Sequence, residues 1–526
     1  MLNRRQLLQS AAAAAPAVLL TRGAAGAQVP PSAAGMNVVM FITDQDRALQ
    51  HFPPNWAERN LPGLTRLQRH GVTFERAFTN ACMCSPARAT LLTGLLPAQH
   101  GVKYTLEEGM PADQYPQVEL SPEFENIASV AAAAGYDVVY KGKFHLTKPA
   151  GETWAPADLE RYGFARWNPP DAGADQTIPE AGGGTTDNDG RYMNDAGDVA
   201  VGEEGVLAYL RTVAGTTGKP FFLIVSLVNP HDVLMYPRNF EKAGYDDTWL
   251  DGQINLPATV DEDLSTKPSV QAQFIKLFGL SGVLGTRRRK RDYLRFYANL
   301  MKSSDAYLVG VLDTLQERGL LDDTLVVRTA DHGEMGMAHG GMRQKNFNFY
   351  EETLRVPLVY SNPRLFPRGR RTRALVSHVD FLPTIASLIG APRAARANWT
   401  GVDYAEHVLG RAKGETQGHV VFTFDDFQAG QASGPYISPP QHIVSIRERR
   451  WKIARYYDVT GEEPDQWEMY DLRADPLERR NIAWPGTERT PREERQLQRL
   501  QAKLARVQKR QLAPLANTPE PLVAPG

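Results

Sequence analysis

The chain has only two cysteines, Cys82 and Cys84, separated by a single residue. A disulfide across one intervening residue would be strained, and a 526-residue chain stapled by disulfides would carry more of them. At least one of the pair therefore has another use. Cys84 opens the run Cys84-Ser85-Pro86-Ala87-Arg88, in which Ser85 is a capping residue type and Pro86 suits a first helical position. Cys84 is expected at the mouth of a helix N-terminus, where free N–H groups and the dipole favour anions. Arg88 then follows one turn on along the same face. A cysteine so placed is a thiolate nucleophile or the precursor of another group.

Further polar groups stand just after short β-rich apolar runs. Asp44 and Gln45 follow the first run, Lys141, Lys143 and His145 the second, Asn229 and His231 the third, and Asp331 and His332 the fourth. Ligands of open α/β sheets bind at the carboxyl ends of the strands, so these groups can converge although almost 300 residues of chain separate the first from the last. Carboxylates, an amide, histidines and lysines together make a hard-cation site beside an anion site.

The elements that must position them alternate in type, the pattern of an α/β fold with a large, mostly parallel mixed sheet flanked by helices. Strands are expected over residues 37–42, 137–140, 221–227, 324–328 and 356–360, and helices over 60–70, 86–92, 126–134, 293–318 and 381–389. Asp46 reads as surface-polar, and residues 169–189 as a long Gly-, Asp- and Pro-rich surface loop. The basic run Arg287-Arg288-Arg289-Lys290-Arg291 reads as the solvated start of a helix. After about residue 400 a smaller α+β subdomain begins, with antiparallel strands over 419–423 and 450–456. Thr490-Pro491-Arg492-Glu493 is a capping box that opens a terminal helix, with Leu497, Leu500, Leu504 and Val507 on one face. That face packs on the body of the protein or on a second subunit, and the last dozen residues read as loose.

Composition sets outer limits. Apolar residues make up 42% and charged residues 23%, enough for a large core. A net charge of −1 provides no global field for nucleic acid. Asn3-Arg4-Arg5-Gln6-Leu7-Leu8, an apolar stretch over 11–20 and Ala25-Gly26-Ala27 have the form of a twin-arginine export signal with its cleavage site. The stretch is half the length of a bilayer span. Export to the periplasm or beyond through the twin-arginine translocase is expected. The resulting division is 1–27 signal, 36–400 catalytic domain, 401–485 C-terminal subdomain and 486–526 helical tail.

The run from Cys84 to Gly94 resembles the signature of the type I sulfatases of the alkaline phosphatase superfamily over eleven positions. The resemblance continues at residues 37–44, at Lys141-Gly142-Lys143-Phe144-His145-Leu146 with Phe144 in a tryptophan place, and at Asn229-Pro230-His231-Asp232. Thr329-Ala330-Asp331-His332-Gly333-Glu334, His339-Gly340, Lys345 and Glu468-Met469-Tyr470-Asp471-Leu472 extend it to about residue 482. It implies a sulfuric-ester hydrolase of alkaline-phosphatase-like fold that acts on a small-molecule or saccharide sulfate ester. A formylglycine-generating enzyme would convert Cys84 to Cα-formylglycine, whose hydrate attacks sulfur and later expels sulfate by returning to the aldehyde.

The resemblance also implies roles. Asp44, Gln45, Asp331 and His332 hold one divalent metal together with residue 84, and Arg88 stabilises the diol. Lys143 and Lys345 bind sulfate. His145 assists its expulsion, and His231 contacts the sulfate or leaving group, sharing with Lys345 the protonation of the leaving oxygen. His339 takes a substrate-binding or a structural place, and Cys82 is a small packing residue. Gln45 and His332 depart from the aspartate and asparagine that many sulfatases carry. The shell then holds two carboxylates, which suits calcium less firmly; calcium remains the first expectation, with manganese, magnesium or zinc open. The same two residues occur in phosphonate monoester hydrolases and phosphodiesterases that use formylglycine, which supply the alternative reading.

Overall fold

The computed structural model describes residues 32–107, 110–111, 113–172, 189–193, 204–237, 250–279, 284–392, 399–428 and 436–522. The residues expected to form an export signal and most of the expected 169–189 loop lie outside the described residues. Strand Asn37–Asp44 lies in the interior of a seven-stranded sheet, third in the order, paired in parallel with Phe221–Pro230 on one side and Thr324–Ala330 on the other. Asp137–Gly142 extends the parallel half; on the other side Leu358–Ser361 runs antiparallel between Thr324–Ala330 and Gly71–Phe74, and Arg370–Thr372 closes the edge in parallel with Gly71–Phe74. The central strands are continuous apolar runs because both faces are covered. Val38, Met40 and Ile42 enter one cluster with helices Cys84–Thr93, Ile127–Ala133 and Phe381–Leu388. Val39 and Phe41 enter another with helix Arg287–Glu317.

Every central strand runs further than its apolar core suggests, out to the polar residues at its carboxyl end. Two expectations are corrected by proline. The helix expected over 60–70 is two, Trp56–Asn60 and Pro62–Arg69, because Pro62 cannot continue a helix from behind but starts one well. The strand expected over 356–360 divides at Pro357, with Arg355–Val356 joining a small second sheet. The basic run is indeed an exposed helix start, capped by the Thr286 hydroxyl accepting from Arg289 N.

The C-terminal sheet has four antiparallel strands in chain order, Val420–Phe424, His442–Arg447, Trp451–Tyr457 and Gln466–Asp471. Alternation decides its packing. Phe422, Phe424, Ile443, Ala454 and Tyr456 face Phe347, Phe349 and Tyr350 of the body. Val421, Val444, Ile446 and Ile453 face Leu497, Leu500, Leu504 and Val507 of helix Pro491–Gln511. That apolar stripe is therefore satisfied within the chain, and the capping box at Thr490 and Glu493 is formed. Within the last dozen residues Thr518 is tied to the body, its hydroxyl donating to Gln99 O at 2.7 Å, while Leu522 is exposed. None of the described helices is long and apolar enough to cross a membrane.

Candidate active site

Helix Cys84–Thr93 begins at Cys84 itself, with Met83 at the cap position. Ser85 does not cap it, contrary to expectation. Its hydroxyl instead accepts from Leu106 N at 3.0 Å. Cys84 Sγ lies 3.2 Å from His332 Nε2 and 3.6 Å from Asp44 Oδ1. Asp44, Cys84, Asp331 and His332 each offer one ligand atom, and all four atoms lie within 4.8 Å of one another. His332 Nδ1 is 3.0 Å from Gly333 O, so it carries the proton and leaves Nε2 free to coordinate. Two carboxylates, an imidazole nitrogen and the residue-84 side chain converge on one point, a donor set that fits a divalent cation.

Cations surround these carboxylates. Arg88 bridges them, with Nη2 3.0 Å from Asp44 and Nε 3.0 Å from Asp331. Its remaining arm donates to Ser226 Oγ and Lys143 O, each at 2.8 Å. Lys143 Nζ lies 2.6 Å from Asp44 Oδ2. Burial opposes the Asp44 charge, but Lys143 foremost and Arg88 outweigh it and hold the carboxyl well below its ordinary range. Burial, reinforced by Asp44, pushes the Cys84 thiol up to about 11. The unmodified sulfur is therefore a poor nucleophile at neutral pH.

Lys143 reaches the site through Gly142, whose φ of +108° breaks the strand alternation. A Cβ at Gly142 would sit 1.9 Å from Ser226 O. Lys141 consequently parts from Lys143 and goes to Asn168 at 3.0 Å. His145 Nε2 donates to Leu106 O at 2.6 Å, leaving Nδ1 buried, unprotonated and without a hydrogen-bond partner. Burial and the adjacent Lys143 hold both His145 and His231 neutral. His231 Nδ1 is likewise unpartnered, and at 9% exposure His231 lies nearest the surface of the site residues, the rest being at 2% or below.

Gln45 turns away from strand geometry at φ +62°. Its Oε1 accepts from Lys345 Nζ at 2.6 Å, its Nε2 donates to Glu334 Oε2 at 2.6 Å, and its backbone N donates to Asp331 Oδ1 at 3.0 Å. The same turn corrects the reading of Asp46. It is buried, paired to Arg328 at 2.6 Å and accepting from the Thr43 hydroxyl at 3.0 Å. His339 belongs to other surroundings. Its Nδ1 lies 2.8 Å from Glu262, its Nε2 3.7 Å from Glu352, and its ring stacks on Tyr350 at 3.6 Å. The cation place in that second acidic cluster is taken by Lys452, 2.6 Å from Glu478, and Lys267, 3.3 Å from Glu262. Cys82 is buried in the apolar cluster between body and C-terminal sheet, as a packing residue would be.

Several residues of the site escape sequence reasoning. Asp171 accepts from Phe144 N at 2.9 Å and His145 N at 2.6 Å, fixing the backbone that aims His145. Ser226 and Glu334 hold Arg88 and Gln45. None stands in a periodic pattern; Glu334, inside the Thr329–Glu334 run, carried the nearest signal.

Residues 37–391 match the sulfatase family model, and residues 339–510 match the C-terminal model described as N-sulphoglucosamine sulphohydrolase. The chain belongs to the sulfatase family. It is an enzyme that hydrolyses sulfate esters, on an α/β fold of the alkaline phosphatase kind. Among curated relatives, the choline-sulfatase of Rhizobium meliloti is 26% identical over 463 residues, which cover 85% of this chain and 82% of the relative. A solved 2-O GAG sulfatase superposes with a TM-score of 0.67 at 23% identity, over 91% of this chain and 92% of the other. The phosphonate monoester hydrolase of Silicibacter pomeroyi superposes with a TM-score of 0.63 at 22% identity, over 92% and 96%. Both structural likenesses speak for the fold alone.

Proposed function

We propose that this enzyme cleaves a sulfate monoester, from a saccharide or a small alcohol, with residue 84 as formylglycine and one divalent metal ion. The observation that carries the reading is the convergence of Cys84, Asp44, Asp331 and His332 beneath Arg88 and Lys143. Asp44, Gln45, Asp331 and His332 would hold the ion, which supplies charge neutralisation and acidifies the nucleophile. The aldehyde hydrate at position 84 would supply the attacking hydroxyl and a route for releasing sulfate.

The chain's own groups do the rest. Arg88 and the helix N-terminus orient residue 84. Lys143 and Lys345 neutralise the sulfate oxygens, the main barrier to attack. Lys345, a donor held against Gln45, delivers a proton toward the leaving oxygen. His231, at the outer edge of the site, contacts the leaving group. Neutral His145, with a free Nδ1, accepts the proton whose loss expels sulfate. We further propose that the first 27 residues direct twin-arginine export to the periplasm or beyond.

The test is purification from a host that modifies cysteine, mass spectrometry of the peptide spanning Cys84, and assay of 4-nitrophenyl sulfate. The expected result is an aldehyde at residue 84, with hydrolysis lost in Cys84→Ala; full hydrolysis by that variant would overturn the reading. Gln45 and His332 favour one second reading, a phosphonate monoester or phosphodiester hydrolase on the same machinery. A much faster rate on 4-nitrophenyl phenylphosphonate than on the sulfate would select it.

A further inference from the structure

The Gln45 side chain lies between two groups of opposite demands. On one side Lys345 Nζ, which can only donate, is 2.6 Å from Oε1. On the other, Glu334 Oε2 is 2.6 Å from Nε2. Glu334 is fully buried, and its two oxygens accept four hydrogen bonds: from Gln45 Nε2, from the Tyr293 hydroxyl at 2.6 Å, from Gly336 N at 3.1 Å and from Gln344 N at 3.0 Å. A carboxylate is the form of that side chain that only accepts. The amide therefore has one possible orientation, and that orientation is dictated from Glu334.

We infer that Glu334 is a positioning residue that fixes the amide of Gln45, and through Gln344 the backbone of Lys345, so that Gln45 presents its oxygen to the metal shell and to Lys345. The inference rests on the metal-dependent reading proposed above and adds a reason for Gln45. Aspartate at position 45 is one methylene too short to span Lys345 and Glu334. Glutamate there would set a carboxylate oxygen against Glu334 at the place where the structure puts a 2.6 Å hydrogen bond. A neutral amide meets both neighbours, so the low carboxylate count of the shell follows from a buried acid outside it. Glu334 also holds the two arms of the site together, since Gln45 lies at the end of the central strand and Lys345 some 300 positions further on.

The test uses the full chain freed of metal by chelation and titrated with Mn2+ and, separately, Ca2+ by calorimetry, with kcat and KM measured in parallel. Glu334→Gln should bind metal about 10-fold more weakly or worse, the range typical of lost partners behind a metal ligand. Its kcat should fall more than its KM rises. Gln45→Glu should bind weakly beside the native Glu334. The swapped pair Gln45→Glu with Glu334→Gln should recover at least about 10-fold of that loss, because the single orientation is restored with the charges exchanged. The comparison of Gln45→Glu with the swapped pair stands even if Glu334→Gln alone does not fold. Additive losses, or native metal affinity in Glu334→Gln, would overturn the inference. A native chain that binds neither ion and hydrolyses no sulfate ester would instead bring down the parent reading.

Discussion

Arg447, on the C-terminal sheet, grips Glu351 of the catalytic body with two parallel bonds, Nε to Oε1 at 3.1 Å and Nη2 to Oε2 at 3.0 Å. The pair is largely buried, the guanidinium lies 4.6 Å from the Phe78 ring centroid, and Lys452 adds a second cation 3.5 Å from Glu351. Burial opposes the Glu351 charge, yet Arg447 and Lys452 hold its carboxyl well below the ordinary range. Truncating Arg447 leaves a buried acid with a weaker partner. Arg447→Ala should cost about 3–5 kcal/mol, seen as a lower denaturant midpoint, and adding Glu351→Gln should restore part of it. Unchanged midpoints would show that the seam is held by apolar packing alone.

His231 should matter in proportion to how badly the leaving group needs help. His231→Ala should lower kcat/KM by roughly 10²–10⁴ on alkyl sulfates and by much less on 4-nitrophenyl sulfate, whose phenoxide leaves unaided. Equal losses on both substrates would place His231 on the sulfate rather than the leaving group.

His339 links stability to pH. Burial would lower its pKa, but the hydrogen bonds it donates to Glu262 and Glu352 win and raise it to about 9. A group raised above its unfolded value stabilises fully below that value, near 6.5, and loses the contribution as pH rises through the folded value. Thermal melting from pH 6 to pH 10 should show native protein above His339→Gln at the acid end, with the gap narrowing from about pH 6.5 and closed once the pH passes about 9. Parallel curves would contradict the assignment.

The terminal helix should be required for the stability of the C-terminal sheet. Leu500 is fully buried among Val444, Ile446 and Ile453. Leu500→Ala should cost about 2–5 kcal/mol, measured by urea denaturation, with kcat/KM on 4-nitrophenyl sulfate unchanged at temperatures below melting.

How much of this was legible depended on where the information lay. Continuous apolar runs marked the central strands because both faces of the sheet are covered, and their polar ends pointed to one pocket. Cys84 and Arg88 were readable because a helical turn relates them locally. Asp171, Ser226 and Glu334 were not, since each acts on a partner 26 to 289 positions away, through hydrogen bonds that no periodicity announces. Asp46 was misread because a single left-handed residue, Gln45, reverses which way the next side chain points. The C-terminal subdomain was foreseen with two strands instead of four, since its alternation serves two buried faces and leaves little polar contrast.

The placement of the first strand inside the sheet, between two later ones, has a consequence in time. Asn37–Asp44 pairs with strands that end at Pro230 and Ala330. At the usual ~5–20 residues per second of synthesis, its second partner emerges tens of seconds after the strand itself. Until then helix Cys84–Thr93 has no finished sheet to pack on, whereas in the folded chain Cys84 is only 2% exposed. On the formylglycine reading proposed above, an enzyme that oxidises Cys84 would have to work in that interval, and the yield of active protein would be set by a race between that enzyme and the closing sheet. Slowing synthesis, or supplying more of the modifying enzyme, should raise the fraction of chains that mature.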